Sequence, residues 1–417
     1  LSIIYNVLGG DTFETVSRKK YGTENEAGRI AESNPGAALP LAAGTTLTIP
    51  TLPNSPQNAP QSAASATEDE VAILINGAQF RFWDSIRITR SIDSMDTVEF
   101  GAPFDAEAPG FKESFRPFKF KPVVITVGGA LLFTGTMVTV NPVIENAQKI
   151  VSVSGYSLPG VLNDCTAPAS MYGEQGSKLQ TDEQYLSEIA TTLAAPFGVS
   201  VKMEADQGPP LTRVALEPGK KILNYLTDLA KQKNLIIASS SRGELVFLQS
   251  SDGGSPVAIL EQGKAPLLSV APFFSPQEYY SHLTGIAPVG VGSPPQAPFT
   301  VKNPQLQGVL RPLTFNAPDT EEAGIVAAVK AKAGRMFANM AAYAVRVATW
   351  RDPNGNLWAP NSSIRLLAPD AMIYKEYEFI VRSVEFEQDS KAQTATLNLV
   401  IPGAFSGKIP EFLPWDG

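Results

Sequence analysis

Phe133-Thr-Gly-Thr-Met-Val-Thr-Val140, followed by Val151-Ser-Val153, is the stretch on which the reading of the fold turns. Its apolar positions Phe133, Val138, Val140, Val151 and Val153 lie 5, 2, 11 and 2 residues apart. That spacing reads as a strand, a polar turn region and a returning strand. Phe379, Val384, Phe386, Leu397 and Leu399 repeat the same 5, 2, 11 and 2. A pattern that recurs across such a distance points to two related strand-rich units in one chain.

Working outward from the first copy, period-two alternation begins at Val71. Ile73 and Ile75, then Phe80-Arg81-Phe82-Trp83, flank an Asn76-Gly77 turn, a strong hairpin signal. Ile86-x-Ile88, Val98-x-Phe100 and Val123 to Val127 add further strands, so residues 70–160 predict a first β-barrel. Residues 161–252 read as an α+β insert. Thr181 and Gln184 stand at capping-box spacing before the helical face Tyr185, Leu186, Ile189, Ala190 and Leu193. A second helix buries Ile222, Leu226 and Leu229, and a hairpin turns at Arg242-Gly243. Residues 253–417 predict a second barrel. It contains a Pro/Gly-rich loop at Val289 to Pro298 and a long helix from Glu321 to Ala342, capped by Asp319 or Thr320. The fold class is thus mainly β with α+β parts.

Composition bounds the function. The chain is 43% hydrophobic and 18% charged, too apolar for disorder and large enough for several cores. A net charge of −8 with no cationic block argues against nucleic-acid sequence recognition. Cys165 is the only cysteine and His282 the only histidine, so thiolate metal clusters, most zinc sites and disulfide frameworks are excluded. No stretch reaches the length of a membrane span. The start, Leu1-Ser2-Ile3-Ile4-Tyr5, lacks a basic segment and a long apolar run, so no Sec signal is expected.

The first fifty residues predict a small βααβ domain, 1–50. Ile3 to Leu8 is a strand, Asp11 and Glu14 stand at capping-box spacing, and Asn34-Pro35-Gly36 stops a helix over Glu24 to Ser33. Leu47-Thr48-Ile49 closes the module. Residues 51–69, rich in Pro, Ser, Ala and Gln, read as a flexible linker. Tyr5-x-Val7, Gly10-Asp11-Thr12, Tyr21-Gly22, Ile30, Asn34-Pro35, Leu41, Gly44-Thr45, Leu47 and Ile49-Pro50 together resemble the LysM family. The resemblance implies a shallow groove for N-acetylglucosamine polymers such as peptidoglycan. It would lie between the loops Gly10-Asp11-Thr12-Phe13 and Asn34-Pro35-Gly36. Helix capping and helix termination explain Asp11, Thr12, Asn34 and Pro35 equally well, and such a module also serves for docking onto a protein.

The body resembles the Mu-like baseplate hub, or late control protein D, family of contractile phage tails. The motifs that carry this are Val151-Ser-Val-Ser-Gly155-Tyr-Ser157 with Val161-Leu-Asn-Asp164-Cys165, and Leu193-Ala-Ala-Pro-Phe-Gly198-Val-Ser-Val201. Glu217-Pro-Gly-Lys220, Gly243-Glu-Leu-Val-Phe247, Trp350-Arg351, Gly355, Leu357-Trp358 and Pro360-Asn361 follow in order. The family implies a homotrimer in the tail baseplate of the virion, assembled in the host bacterial cytoplasm. It would join the sixfold tail tube protein to the threefold central spike protein, with baseplate wedge proteins around it. Two similar units in each of three subunits match six.

Two rival readings are a LysM-targeted cell-wall hydrolase and a simple glycan-binding protein. The hydrolase lacks machinery. Gly155-Tyr156-Ser157 would need glycine at 159 for a nucleophile elbow, and Pro159 stands there. His282 sits in a strand pattern, and no cofactor motif is present. No catalytic, cofactor or metal residue is assigned. The tail Ile409-Pro-Glu-Phe-Leu-Pro-Trp415 is expected to dock onto a neighbouring subunit or the spike.

Overall fold

A computed structural model describes residues 2–7, 11–21, 27–37, 40–50, 69–104, 109–145, 148–172, 179–251, 253–287, 297–317, 322–403, 410 and 412–416. Residues 51–68, the start of the second N-terminal helix, most of the 289–298 loop and the Asp319/Thr320 cap lie outside them. Among the described residues, no helix is long and apolar enough to cross a membrane.

The N-terminal module runs β1 (Ser2–Asn6), α1 (Phe13–Tyr21), α2 (Ala27–Glu32) and β2 (Thr46–Pro50). Its two strands pair antiparallel from Ser2↔Pro50 to Asn6↔Thr46. Val7, Phe13, Val16, Ile30, Leu41, Leu47 and Ile49 form its own small core.

The body opens with β3 (Val71–Ile75) and β4 (Ala78–Phe80). Asn76 and Gly77, at φ 50° and 79°, make the primed turn that the sequence announces between them. Then come β5 (Ser85–Ser91), β6 (Thr97–Pro103), α3 (Pro109–Ser114), β7 (Pro122–Val127), β8 (Ala130–Glu145) and β9 (Gln148–Ser157). The insert comprises α4 (Val161–Asp164), β10 (Leu179–Gln184), α5 (Leu186–Ala194), β11 (Val201–Met203), β12 (Leu211–Leu216), α6 (Ile222–Gln232), β13 (Ile236–Ser239) and β14 (Leu245–Leu248). It has a separate core built on Leu193, Leu226, Leu229, Leu245 and Phe247. The predicted cap moves here. Thr181 and Gln184 lie on β10, and α5 is capped by Tyr185, whose backbone N–H donates to Glu188 Oε2 at 2.9 Å.

The last third holds β15 (Ala258–Glu261), β16 (Leu267–Phe274), β17 (His282–Ile286), β18 (Phe299–Lys302), β19 (Pro312–Asn316), α7 (Glu322–Met340), β20 (Ala341–Val347), β21 (Ser363–Ala368), β22 (Ile373–Gln388) and β23 (Gln393–Val400). A 13-stranded sheet runs β16-β20-β23-β22-β5-β6-β9-β8-β7-β3-β4, with β21 on β22 and β15 on β21. Where two separate barrels were expected, the two units share this sheet and one buried cluster that includes Ile88, Phe100, Val153, Tyr343, Phe379 and Phe386. The reason is the length of β22: its first half pairs with β21 and its second half with β5.

The repeat is real and can be read strand by strand. β5-β6-β9-β8-β7 and β16-β20-β23-β22-β21 are five-stranded antiparallel sets with the same order, 1-2-5-4-3 in chain sequence. Val140 pairs with Val153, and 244 residues further on Val384 pairs with Leu397. A β-bulge between Met137 and Thr139 recurs at the same offset between Val381 and Ser383. The apolar spacing that sets Phe133 against Phe379 is therefore two residues out. A period-two pattern is unchanged by a shift of two, so spacing alone cannot choose between these registers. The bulge can, because it breaks the period.

Candidate functional site

In the N-terminal module the predicted site residues separate into structural and presented ones. Asp11 is buried, and its Oδ2 accepts the Tyr5 hydroxyl at 2.8 Å. Thr12, not Asp11, caps α1: its backbone N–H donates to Thr15 Oγ1 at 2.7 Å, and its Oγ1 accepts the Thr15 N–H at 3.2 Å. The Thr12 side chain also bonds Glu14, which holds that exposed carboxyl below its ordinary range. Phe13 is buried in the module core.

Asn34 is fully engaged. Its Nδ2 donates to Ile30 O and Thr48 O, both at 2.7 Å, and its Oδ1 accepts the Thr48 N–H at 2.7 Å. These bonds tie the end of α2 to β2. Thr48 and Leu47 face Ile4 and Tyr5 on adjacent rungs of the β1–β2 ladder. The two loops are thus tethered, through Asn34–Thr48 and Asp11–Tyr5, to neighbouring rungs. Thr12, Pro35 and Gly36 remain exposed between and beside these tethers. Gly10 lies outside the described residues.

The motif that most resembled an enzyme is a packing device. Ser157 is buried at the end of β9, and its hydroxyl has no hydrogen-bond partner among the described residues. A Cβ on Gly155 would stand 2.3 Å from Thr136 O, and one on Gly135 would stand 2.1 Å from Tyr156 O. The glycines let β8 and β9 cross closely. Tyr156 donates to Asp164 Oδ2 at 2.7 Å, and burial with that carboxylate raises its pKa. His282 Nδ1 lies 2.9 Å from the hydroxyl of its neighbour Ser281, at the start of β17. The C-terminal tail, expected on a neighbour, packs on its own chain. Leu413 is buried, Trp415 meets Phe274 edge-on at 5.3 Å, and Tyr377 donates to Phe412 O at 2.8 Å.

The seam between the two units carries charges that sequence reading did not single out. Arg87 on β5 donates to Glu387 at 2.7 Å and pairs with Glu385 at 2.7 Å, both on β22. Arg382, the bulged residue of β22, pairs with Asp93 at 2.8 Å, and its carbonyl accepts the Ile92 N–H at 3.0 Å. Arg351 pairs with Asp69 at 3.0 Å and donates to Val127 O at 3.2 Å, a second tie from the later unit to the earlier one.

Next to the seam, buried Asp96 links the first unit to the insert. Its carboxylate takes Arg90 Nε and the Ser91 N–H, both at 3.2 Å, and its own N–H donates to Ser239 Oγ at 3.0 Å. Burial outweighs these partners and pushes its pKa up to about 6. The signal for these pairs is opposite charge at alternate positions of β5 and β22, visible only once those strands are known to be neighbours.

Known proteins resemble the chain in its body. Residues 159–249 match the family model described as the second domain of the gp44-like baseplate hub protein. The baseplate hub protein gp44 of Escherichia phage Mu is 24% identical over 200 residues, 46% of this chain. That match spans 48% of the relative, about half its length. The 43 kDa tail protein of prophage MuSo2 from Shewanella oneidensis has the same fold at TM-score 0.69 and 24% identity, over 81% of this chain and 99% of that one. A tail protein of Neisseria meningitidis MC58 follows at TM-score 0.68 and 19% identity, over 81% and 98%. Through its insert by family model, and over 200 residues by sequence, the chain is similar to gp44-like phage baseplate hub proteins, which are structural proteins and not enzymes, and its body shares the fold of phage tail proteins.

Proposed function

We propose that the chain is the trimeric hub of a contractile phage tail baseplate, joining a sixfold tail tube to a threefold central spike. The observation that carries this is the duplication of one five-stranded unit, with its strand order retained and its β8–β9 bulge repeated 244 residues on in β22–β23. A protein that meets sixfold symmetry with three copies needs two equivalent surfaces per copy, and a duplicated unit supplies them. Wedge proteins would contact its periphery, and the assembled hub would sit in the virion.

The βααβ module is a LysM domain in this reading. Its ligand surface is Thr12, Pro35 and Gly36, because Asp11 and Asn34 are engaged internally. Pull-down of the full chain with purified peptidoglycan, against retention on other baseplate proteins, separates wall binding from docking.

The hub reading is tested by light scattering after size exclusion. The subunit is 44.5 kDa, so the trimer reads about 134 kDa. A monomer at all concentrations defeats it.

A further inference from the structure

The connection between β6 and β7 has a packed aromatic base and an exposed tip. At the base, Phe111 on α3 meets Phe115 with ring centres 4.4 Å apart. Phe115 is buried, and its ring lies 5.2 Å from Phe80 and 6.4 Å from Phe100. The chain then runs out through Arg116-Pro-Phe-Lys-Phe120, all of them exposed. Phe118 is 87% exposed and Phe120 58% exposed.

Their backbones stand at φ 60° and 46°. Left-handed backbone is unfavourable for a bulky side chain, so two such residues one position apart make a strained turn. A cluster of buried phenylalanines begins three residues upstream, and the turn holds both rings away from it. Strain of this kind is kept where a surface is held ready for a ligand.

Charge gathers on the same turn. Over residues 109–121, Lys112, Arg116, Lys119 and Lys121 face one carboxylate, Glu113, in a chain of net charge −8. Asp105 and Glu107, earlier in the connection, lie outside the described residues. Lys121 takes the Glu113 carboxylate at 3.1 Å and also donates to the Glu113 carbonyl. The Lys121 hydrogen bond holds that carboxyl below its ordinary range, with Arg116 and Lys119 adding to the field. Lys112, Arg116 and Lys119 are exposed, and none has an ion pair among the described residues.

We propose that the Arg116–Phe120 turn docks on an anionic lipid bilayer. Phe118 and Phe120 sink to the headgroup boundary, and the three unpaired cations lie against the anionic headgroups. Lys119 favours a bilayer over a protein, because it stands between the two rings. A protein that took both rings would have to bury that ammonium, and lysine is depleted at the core of protein interfaces. At a bilayer the same side chain lays its methylenes beside the rings and lifts its charge to the headgroups. The acidic remainder of the chain is repelled by anionic lipid, which confines the contact to the turn. The contact does not depend on the hub reading.

The test sediments the full chain with vesicles of phosphatidylcholine alone, and of phosphatidylcholine and phosphatidylglycerol in a two-to-one ratio. Two variants accompany the parent, Phe118→Ser with Phe120→Ser, and Arg116→Gln with Lys119→Gln. All four positions are exposed, and circular dichroism confirms that each variant is folded. The parent is expected to sediment with the mixed vesicles and not with phosphatidylcholine alone. Neutralising the two cations should weaken partitioning about thirtyfold, and removing the rings by about tenfold or more. Loss in the charge variant alone means adsorption without insertion and overturns the proposal. Equal partitioning by the parent and both variants places the contact elsewhere and also overturns it. So does failure of the parent to sediment with the mixed vesicles. Retention on immobilised polyglutamate, abolished in the charge variant, would then assign the turn to an acidic protein surface.

Discussion

Replacing Asn34 with alanine removes three hydrogen bonds of 2.7 Å, one back to Ile30 in α2 and two across to Thr48 in β2. At about 1 kcal/mol net each, the loss is about 3 kcal/mol. A module of 50 residues at roughly 0.05–0.15 kcal/mol per residue holds about 2.5–7.5 kcal/mol in all, so this one side chain accounts for a large share. The body has its own cores and does not share the loss. Amide exchange by mass spectrometry on the full chain reads this locally. With opening about 3 kcal/mol easier, exchange in β2 peptides accelerates roughly 100-fold, while β8 and β22 peptides are unchanged. Unaltered β2 protection in N34A would refute the structural account of Asn34. It would return that residue to the list of groups available to a ligand. The result also governs how binding data are read, because loss of glycan or protein binding by N34A would report unfolding. Pro35 is exposed and makes no side-chain hydrogen bond, so Pro35→Ala is the informative surface variant.

Two further outcomes follow from the body. Asp96 has a folded pKa of about 6 against an ordinary 3.8, so its contribution is fully present below about pH 4 and is lost as pH rises through 6. The loss amounts to about 3 kcal/mol; urea midpoints for the parent and D96N at pH 4.5 and 7.5 should show the parent losing ground at the higher pH, and a constant difference would contradict it. Gly135→Ala sets a methyl 2.1 Å from Tyr156 O and 2.5 Å from the Phe133 ring. Overpacking there costs about 1–3 kcal/mol or more, read as a lower urea midpoint; an unshifted midpoint means that β8 and β9 do not cross as described.

Much of the fold is legible in the sequence because burial alternates where the pleat demands it. Asn76-Gly77 announces its hairpin, and the apolar pairs of β8–β9 and β22–β23 announce the repeat. What escapes is whatever depends on single-residue register. The cap of α1 falls on Thr12 rather than Asp11, because Tyr5 draws the aspartate into the interior. The cap of α5 falls on Tyr185 and Glu188 because Thr181 is already in a strand with Val214. The repeat is misaligned by two until its bulge is seen. The N-terminal loops are legible as positions but not as roles, since Asn34 looks the same whether its amide meets a sugar or Thr48. Arg87, Glu385 and Glu387 lie some 300 residues apart in sequence, so only the topology makes them neighbours.

That separation has a consequence for synthesis. The five strands β5 to β9 lie between residues 85 and 157, so the first unit can fold while the remainder of the chain is still being made. Its strand β5 nevertheless waits for β22, about 300 residues downstream, which at roughly 5–20 residues per second is about 15–60 s on the ribosome. Through that interval β5 is a naked edge beside other nascent chains. Arg87 stands on it, half exposed, and an outward cation is what discourages a stranger from adding on. When β22 arrives, Glu385 and Glu387 meet Arg87, so the guard on the waiting strand becomes a clasp for its own late partner.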